Sequence, residues 1–132
     1  GLVLMLADGR ISHAITAPES HLEKEYEVAC DLEPTEQQLA KMAKGMNLKD
    51  GPTRPCRVEP MGGKRFRIII TEGRNRQIRR MCERVGLDVR DLRRVRVGPM
   101  RMGSIAEGQW REMTPRDAES LREAAGMKAG KA

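Results

Sequence analysis

Thr71-Glu72-Gly73-Arg74-Asn75-Arg76-Gln77-Ile78-Arg79-Arg80-Met81-Cys82 is the stretch around which this chain is organised. The run Arg65 to Thr71 before it alternates, with Phe66, Ile68 and Ile70 on one side, and predicts a strand. Gly73 turns the chain, and an arginine-studded helix leaves the turn. At about 100° per residue, Ile78, Met81, Cys82 and Val85 make one helical face while Arg76, Arg80 and Arg84 lie opposite. Arg79 falls at the border, beside Cys82, where a guanidinium can be half-buried and aimed at a fixed partner.

Charge points the same way. The chain has 132 residues and a formal net charge of +6, from 25 basic and 19 acidic side chains. Between Gly73 and Arg96 there are nine arginines against three acids, so the rest of the chain is balanced at 16 basic and 16 acidic residues. A cluster of this kind on an otherwise neutral domain is the footprint of a polyanion binder, most often a nucleic acid. A solvated basic surface is the plainer alternative. With Tyr26, Phe66 and Trp110 the only aromatics, a single-strand binder built on several stacking rings is disfavoured, although one placed ring is enough for one base.

The length predicts one domain. Cys30, Cys56 and Cys82 are odd in number and far apart, as expected of reduced thiols in a cytoplasmic protein, and His13 and His21 lack partners at metal spacing, so no metal site is expected. No apolar run is long enough to span a membrane as a helix.

Outward from the central stretch, Gly1 to Leu6 is a continuous apolar run that predicts a strand buried on both faces, followed by a turn at Asp8-Gly9 and a short helix over 10–15. Leu22 to Asp31 alternates: Leu22, Lys24, Tyr26, Val28 and Cys30 face one way, and Glu23, Glu25, Glu27 and Ala29 the other. Thr35 and Gln38 form a capping box for a structural helix that ends at Gly45. Gly62-Gly63 predicts a hairpin between a strand near Cys56 to Glu59 and the isoleucine strand. Leu87 to Val97 resumes extended structure with Leu92, Arg94 and Arg96 on one face. Met100 to Met113 predicts two short strands with Trp110 as a core anchor, and Thr114-Pro115 opens a last helix that runs to about Ala125. The order predicts an α+β fold, a mixed, mostly antiparallel sheet with helices packed on it.

Glu72-Gly73-Arg74-Asn75-Arg76-Gln77-Ile78-Arg79-Arg80-Met81 resembles the third motif of the RsuA family of ribosomal RNA pseudouridine synthases. Three further pieces agree in order: Gly1 to Gly9 with Thr16-Ala17-Pro18, then Glu23-Lys24-Glu25-Tyr26, then Leu92 to Pro99. The resemblance spans roughly residues 1 to 115. It implies isomerisation of uridine to pseudouridine in ribosomal RNA, with no cofactor and no metal. It implies that Tyr26 stacks on the target base, that Arg79 pairs with a catalytic aspartate, and that Leu92 and Ile78 line the uracil pocket. Arg74, Arg76, Arg80, Arg84, Arg94 and Arg96 are the candidate RNA contacts.

In the family that aspartate lies in a Gly-Arg-Leu-Asp motif several residues before the glycine matched by Gly1. The expectation is therefore a partial catalytic domain over residues 1–114, its C-terminal helix over 115–126 and a frayed tail over 127–132, inactive alone and lacking the family's N-terminal RNA-binding domain. Arg79, without its aspartate, is expected to be exposed, mobile or paired elsewhere, with Glu72 as a candidate. The expected partners are ribosomal RNA, the N-terminal part of the same protein and a second copy docked on an open sheet edge, and no membrane. A non-catalytic RNA-binding or ribosome-associated module that uses the arginine-rich helix is the alternative.

Overall fold

The computed structural model describes residues 1–6, 10, 21–74 and 76–126. Its elements in chain order are β1 (Lys24–Cys30), α1 (Glu36–Lys44), β2 (Asn47–Leu48), β3 (Gly51–Pro52), β4 (Arg57–Gly62), β5 (Arg65–Ile70), α2 (Gln77–Arg84), β6 (Val89–Val97), β7 (Met100–Arg101) and α3 (Pro115–Ala124). Five strands form one sheet in the order β4-β5-β1-β6-β7, every pairing antiparallel, and β2 pairs with β3 alone. This is the expected α+β fold.

Alternation decides the faces. Val28 lies opposite Phe66 on one side and Leu92 on the other, and Tyr26 lies between Ile68 and Arg94. Phe66, Ile68, Ile70, Val28 and Cys30 form a core with Ile78, Met81 and Cys82 of α2 and Leu39 and Met42 of α1. Burying side chains such as Phe66, Met42 and Met81, all at zero exposure, contributes about 1.5–3 kcal/mol each. The capping box between Thr35 and Gln38 opens α1, and a second between Thr114 and Asp117 opens α3.

A second cluster joins Leu22, Val97, Met100 and Leu121, with Leu2, Leu4, Leu6 and Met113 packed against it. Here the opening residues depart from expectation. Leu2, Leu4 and Leu6 turn towards this cluster, but Val3 is 71% and Met5 90% exposed, so the segment is covered on one face and not on both. Leu2 N–H donates to the Arg94 carbonyl at 2.7 Å, a single backbone bond to the edge of β6. Apart from Arg10, the helix expected over 10–15 lies outside the described residues, as does the tail at 127–132.

Trp110 is not a core anchor. It is 80% exposed, because beyond β7 the chain makes turns at Gly103 and Gly108 with no further strand to pack the indole against. Residues 1–5 and the turns after Met100 instead border an open groove, with Trp110 on its wall.

The sheet register holds one feature that alternation alone does not reveal. Tyr26 pairs with Arg94 but its neighbour Glu25 pairs with Arg96, so Val95 is an extra residue, a β-bulge. The bulge sends Arg94 to the Tyr26 face and Arg96 to the other, which corrects the expectation that they share a face. On that other face Glu25 is 5% exposed, with Arg96 Nε at 2.9 Å, Arg67 Nε at 3.1 Å and Arg101 Nη1 at 3.8 Å from its carboxylate.

Candidate nucleic-acid interface

Three elements converge at one end of the sheet: the start of β1, the end of β5 and the end of β6, where Lys24 is flanked by Ile70 and Val97. Tyr26 lies one pleat further in, on the same face, partly buried against the main core. Only residues 71–76 separate β5 from α2, so the helix begins at this end. It runs towards the far end of the strand, where Cys82 and Cys30 are buried in one core. Arg79 lies about one turn nearer the start of α2 than Cys82.

Arg79 is half-buried. Its charge favours the Cys82 thiolate, yet burial dominates and pushes that thiol up to about 12. Glu72 is not its partner. That carboxylate accepts from the Arg54 N–H at 2.6 Å and lies 3.5 Å from Arg74 Nε. Among the described residues no ion pair includes Lys24, Arg79 or Arg94. The Arg94 guanidinium donates to the Leu2 carbonyl through Nε at 3.0 Å and Nη2 at 2.6 Å. Burial, followed by the nearby Arg94 charge, lowers the Lys24 pKa from its ordinary value.

The α2 arginines divide. Arg80 forks onto Asp50, Nη1 to Oδ1 at 2.8 Å and Nη2 to Oδ2 at 3.2 Å, and this bond holds the Asp50 carboxyl below its usual range. Arg74 Nη1 reaches the same carboxylate at 3.2 Å and the Gly51 carbonyl at 3.2 Å. Its Nε and Nη2 are buried with no hydrogen-bond partner among the described residues. Arg76 and Arg84 are exposed and enter no ion pair there. Arg76 precedes the helix in the left-handed region at φ 52°, which a side chain adopts at a cost of roughly 1–2 kcal/mol.

The sequence-derived site residues thus fall into groups. Tyr26 and Arg94 are brought together on one sheet face, with Leu92 beside them and Arg79 on the helix above. Ile78 is 4% exposed, inside the core beneath α2. Arg96 is on the opposite face, held by Glu25, Glu23 and the Gly98 carbonyl. Three residues were missed: Lys24, Glu25 and Asp50. Period-two alternation already put Lys24 beside Tyr26. Nothing local marks Glu25 as buried, because the arginines that cover it come from other strands, and Asp50 sits in a turn remote from α2 in sequence.

No protein-family model matches the chain. Curated relatives do. It is 35% identical to ribosomal large subunit pseudouridine synthase B of Pseudomonas aeruginosa, over 97% of this chain and 35% of that protein. It is 36% identical to ribosomal large subunit pseudouridine synthase E of Xanthomonas campestris, over 84% of this chain and 70% of that protein. A solved structure, the crystal structure of a pseudouridylate synthase, superposes with a TM-score of 0.81 at 33% identity, covering 86% of this chain and 51% of that one. The chain spans between 35% and 55% of the length of the first three curated relatives.

Proposed function

The chain belongs to the RsuA family of ribosomal RNA pseudouridine synthases, and from that premise we propose that it supplies the base-binding half of a site that isomerises uridine in ribosomal RNA. The observation that carries the reading is the placement of Tyr26 between Ile68 and Arg94 at the end of the sheet where α2 begins. A uracil extruded from its stack, at a cost of a few kcal/mol, lies against the Tyr26 ring with Leu92 at its edge. Arg79 is half-buried on α2, with no carboxylate paired to it among the described residues. A catalytic aspartate completes that pair.

Isomerisation breaks the bond from ribose C1′ to N1, rejoins C1′ to C5, releases the C5 proton and protonates N1, with no net change in composition. The sequence contains no Gly-Arg-Leu-Asp, so conversion is assigned to this chain together with the segment of the same protein that carries it. Arg76 and Arg84 are the free cations for RNA phosphates, Arg74 and Arg80 build the helix's support, and the working compartment is the cytoplasm. A second copy, docked on the groove by Trp110, is the remaining partner.

Tritium release from C5-tritiated uridine in ribosomal RNA tests this. No release is expected from the chain alone, and release is expected once it is joined to a family segment bearing the aspartate. Release by the chain alone would refute the missing catalyst, and none from the joined protein would refute the activity.

A further inference from the structure

The mouth of the site holds more positive charge than base binding requires. Lys24 is half-buried on the Tyr26 face, yet no acid pairs with it among the described residues. Each neighbouring carboxylate is committed elsewhere: Glu23 and Glu25 to Arg96 across the sheet, and Glu72 to Arg54 and Arg74. Arg94, whose charge acts on Lys24, has the same sign and is anchored to the Leu2 carbonyl through Nε and Nη2. The Lys24 Nζ lies 3.9 Å from where a Cβ on Gly73 would sit, and Gly73 itself is exposed. The approach to the ammonium is therefore open on the side where the chain has no side chain.

An anion bound between a half-desolvated ammonium and an immobile guanidinium relieves both the lost hydration and the like-charge repulsion. On a uridine-binding face, the anion available within one nucleotide of the ring is a backbone phosphodiester. We propose that Lys24 and Gly73 form a phosphate subsite that grips the linkage next to the base stacked on Tyr26. This deepens the uridine-site reading and rests on it. Arg76 and Arg84 would hold more distant phosphates and set overall affinity, whereas Lys24 would hold the linkage that fixes how far the flipped nucleotide enters.

The test is fluorescence anisotropy of the chain with a short single-stranded RNA containing one uridine. The linkage on either side of the uridine is in turn a normal phosphodiester or a neutral methylphosphonate. With the unmodified chain, neutralising one of the two linkages weakens binding by about tenfold, as for loss of one fixed phosphate contact. Lys24→Met, which keeps the apolar stem, binds the charged and neutral RNAs alike and reduces the salt slope by about 1, while Lys24→Arg restores the difference. Thermal melts of both variants confirm folding. If Lys24→Met still prefers the charged linkage as strongly as the parent chain, or if neither linkage matters to the parent, the subsite is refuted. Replacing the uridine by cytidine separates the two readings. Equal binding of both bases with the linkage effect intact would remove the uridine pocket and leave the phosphate subsite standing.

Discussion

Arg76 sits where its side chain helps least with folding. It precedes α2 in the left-handed region, with no side-chain cap on the helix and an exposed guanidinium. A strained, exposed arginine persists where the side chain has a task outside the fold. Arg76→Gly should therefore raise stability by about 0.5–1 kcal/mol, the relief of φ 52° less the added chain entropy, and weaken RNA binding. Urea unfolding and anisotropy titration check the two signs, and a destabilised variant that binds RNA as before would sink the argument. At this scale the sequence was informative where a side chain's placement depends on its own strand or helix, as for the face Tyr26 takes on β1, the partial burial of Arg79 and the Thr35 cap. It was silent where the partner comes from elsewhere. Asp50 takes Arg80 from 30 residues away, and Arg96 closes on Glu25 across 71.

Among the elements, α2 is bound to β1 by apolar contact, with Cys30 and Cys82 in the shared core, and both thiols are driven upward by burial. The consequence for pH follows from linkage. Cys82 titrates at about 12 in the fold against 9.0 unfolded, so its contribution to stability is complete below pH 9 and is lost as pH rises towards 12. Cys56, raised to about 11, loses its share over the lower part of that window. Denaturant midpoints measured from pH 7 to 11 should be flat up to about 9 and then fall, and Cys82→Ala should flatten the upper limb while lowering the whole curve. An unchanged alkaline slope in that variant would show that other groups control it. The elements themselves were mostly read correctly from period and caps. The exceptions, Gly1 to Leu6 and the region around Trp110, are those whose state depends on what lies beside them.

For the whole molecule, that dependence becomes a surface. Val3, Met5 and Trp110 expose apolar area around one groove, and Leu2 alone bonds to the edge of β6 there. Open edges of this kind favour pairing with a further strand. Sedimentation at concentrations on the order of tens of micromolar should therefore show self-association, the range in which exposed edges find partners. Trp110→Ser should shift the distribution towards monomer, and a monomer at every concentration would discard the idea. The bulge at Val95 has a consequence of another kind, for how such a chain can change over evolutionary time. Through that one supernumerary residue, β6 gives two arginines to two clients: Arg94 to the Tyr26 side and Arg96 to the side that braces the sheet. Replacing Val95 alters one half-buried contact, whereas deleting it would exchange the two clients at a stroke. Substitution at Val95 should therefore cost less stability than its deletion, which urea unfolding of the two variants checks.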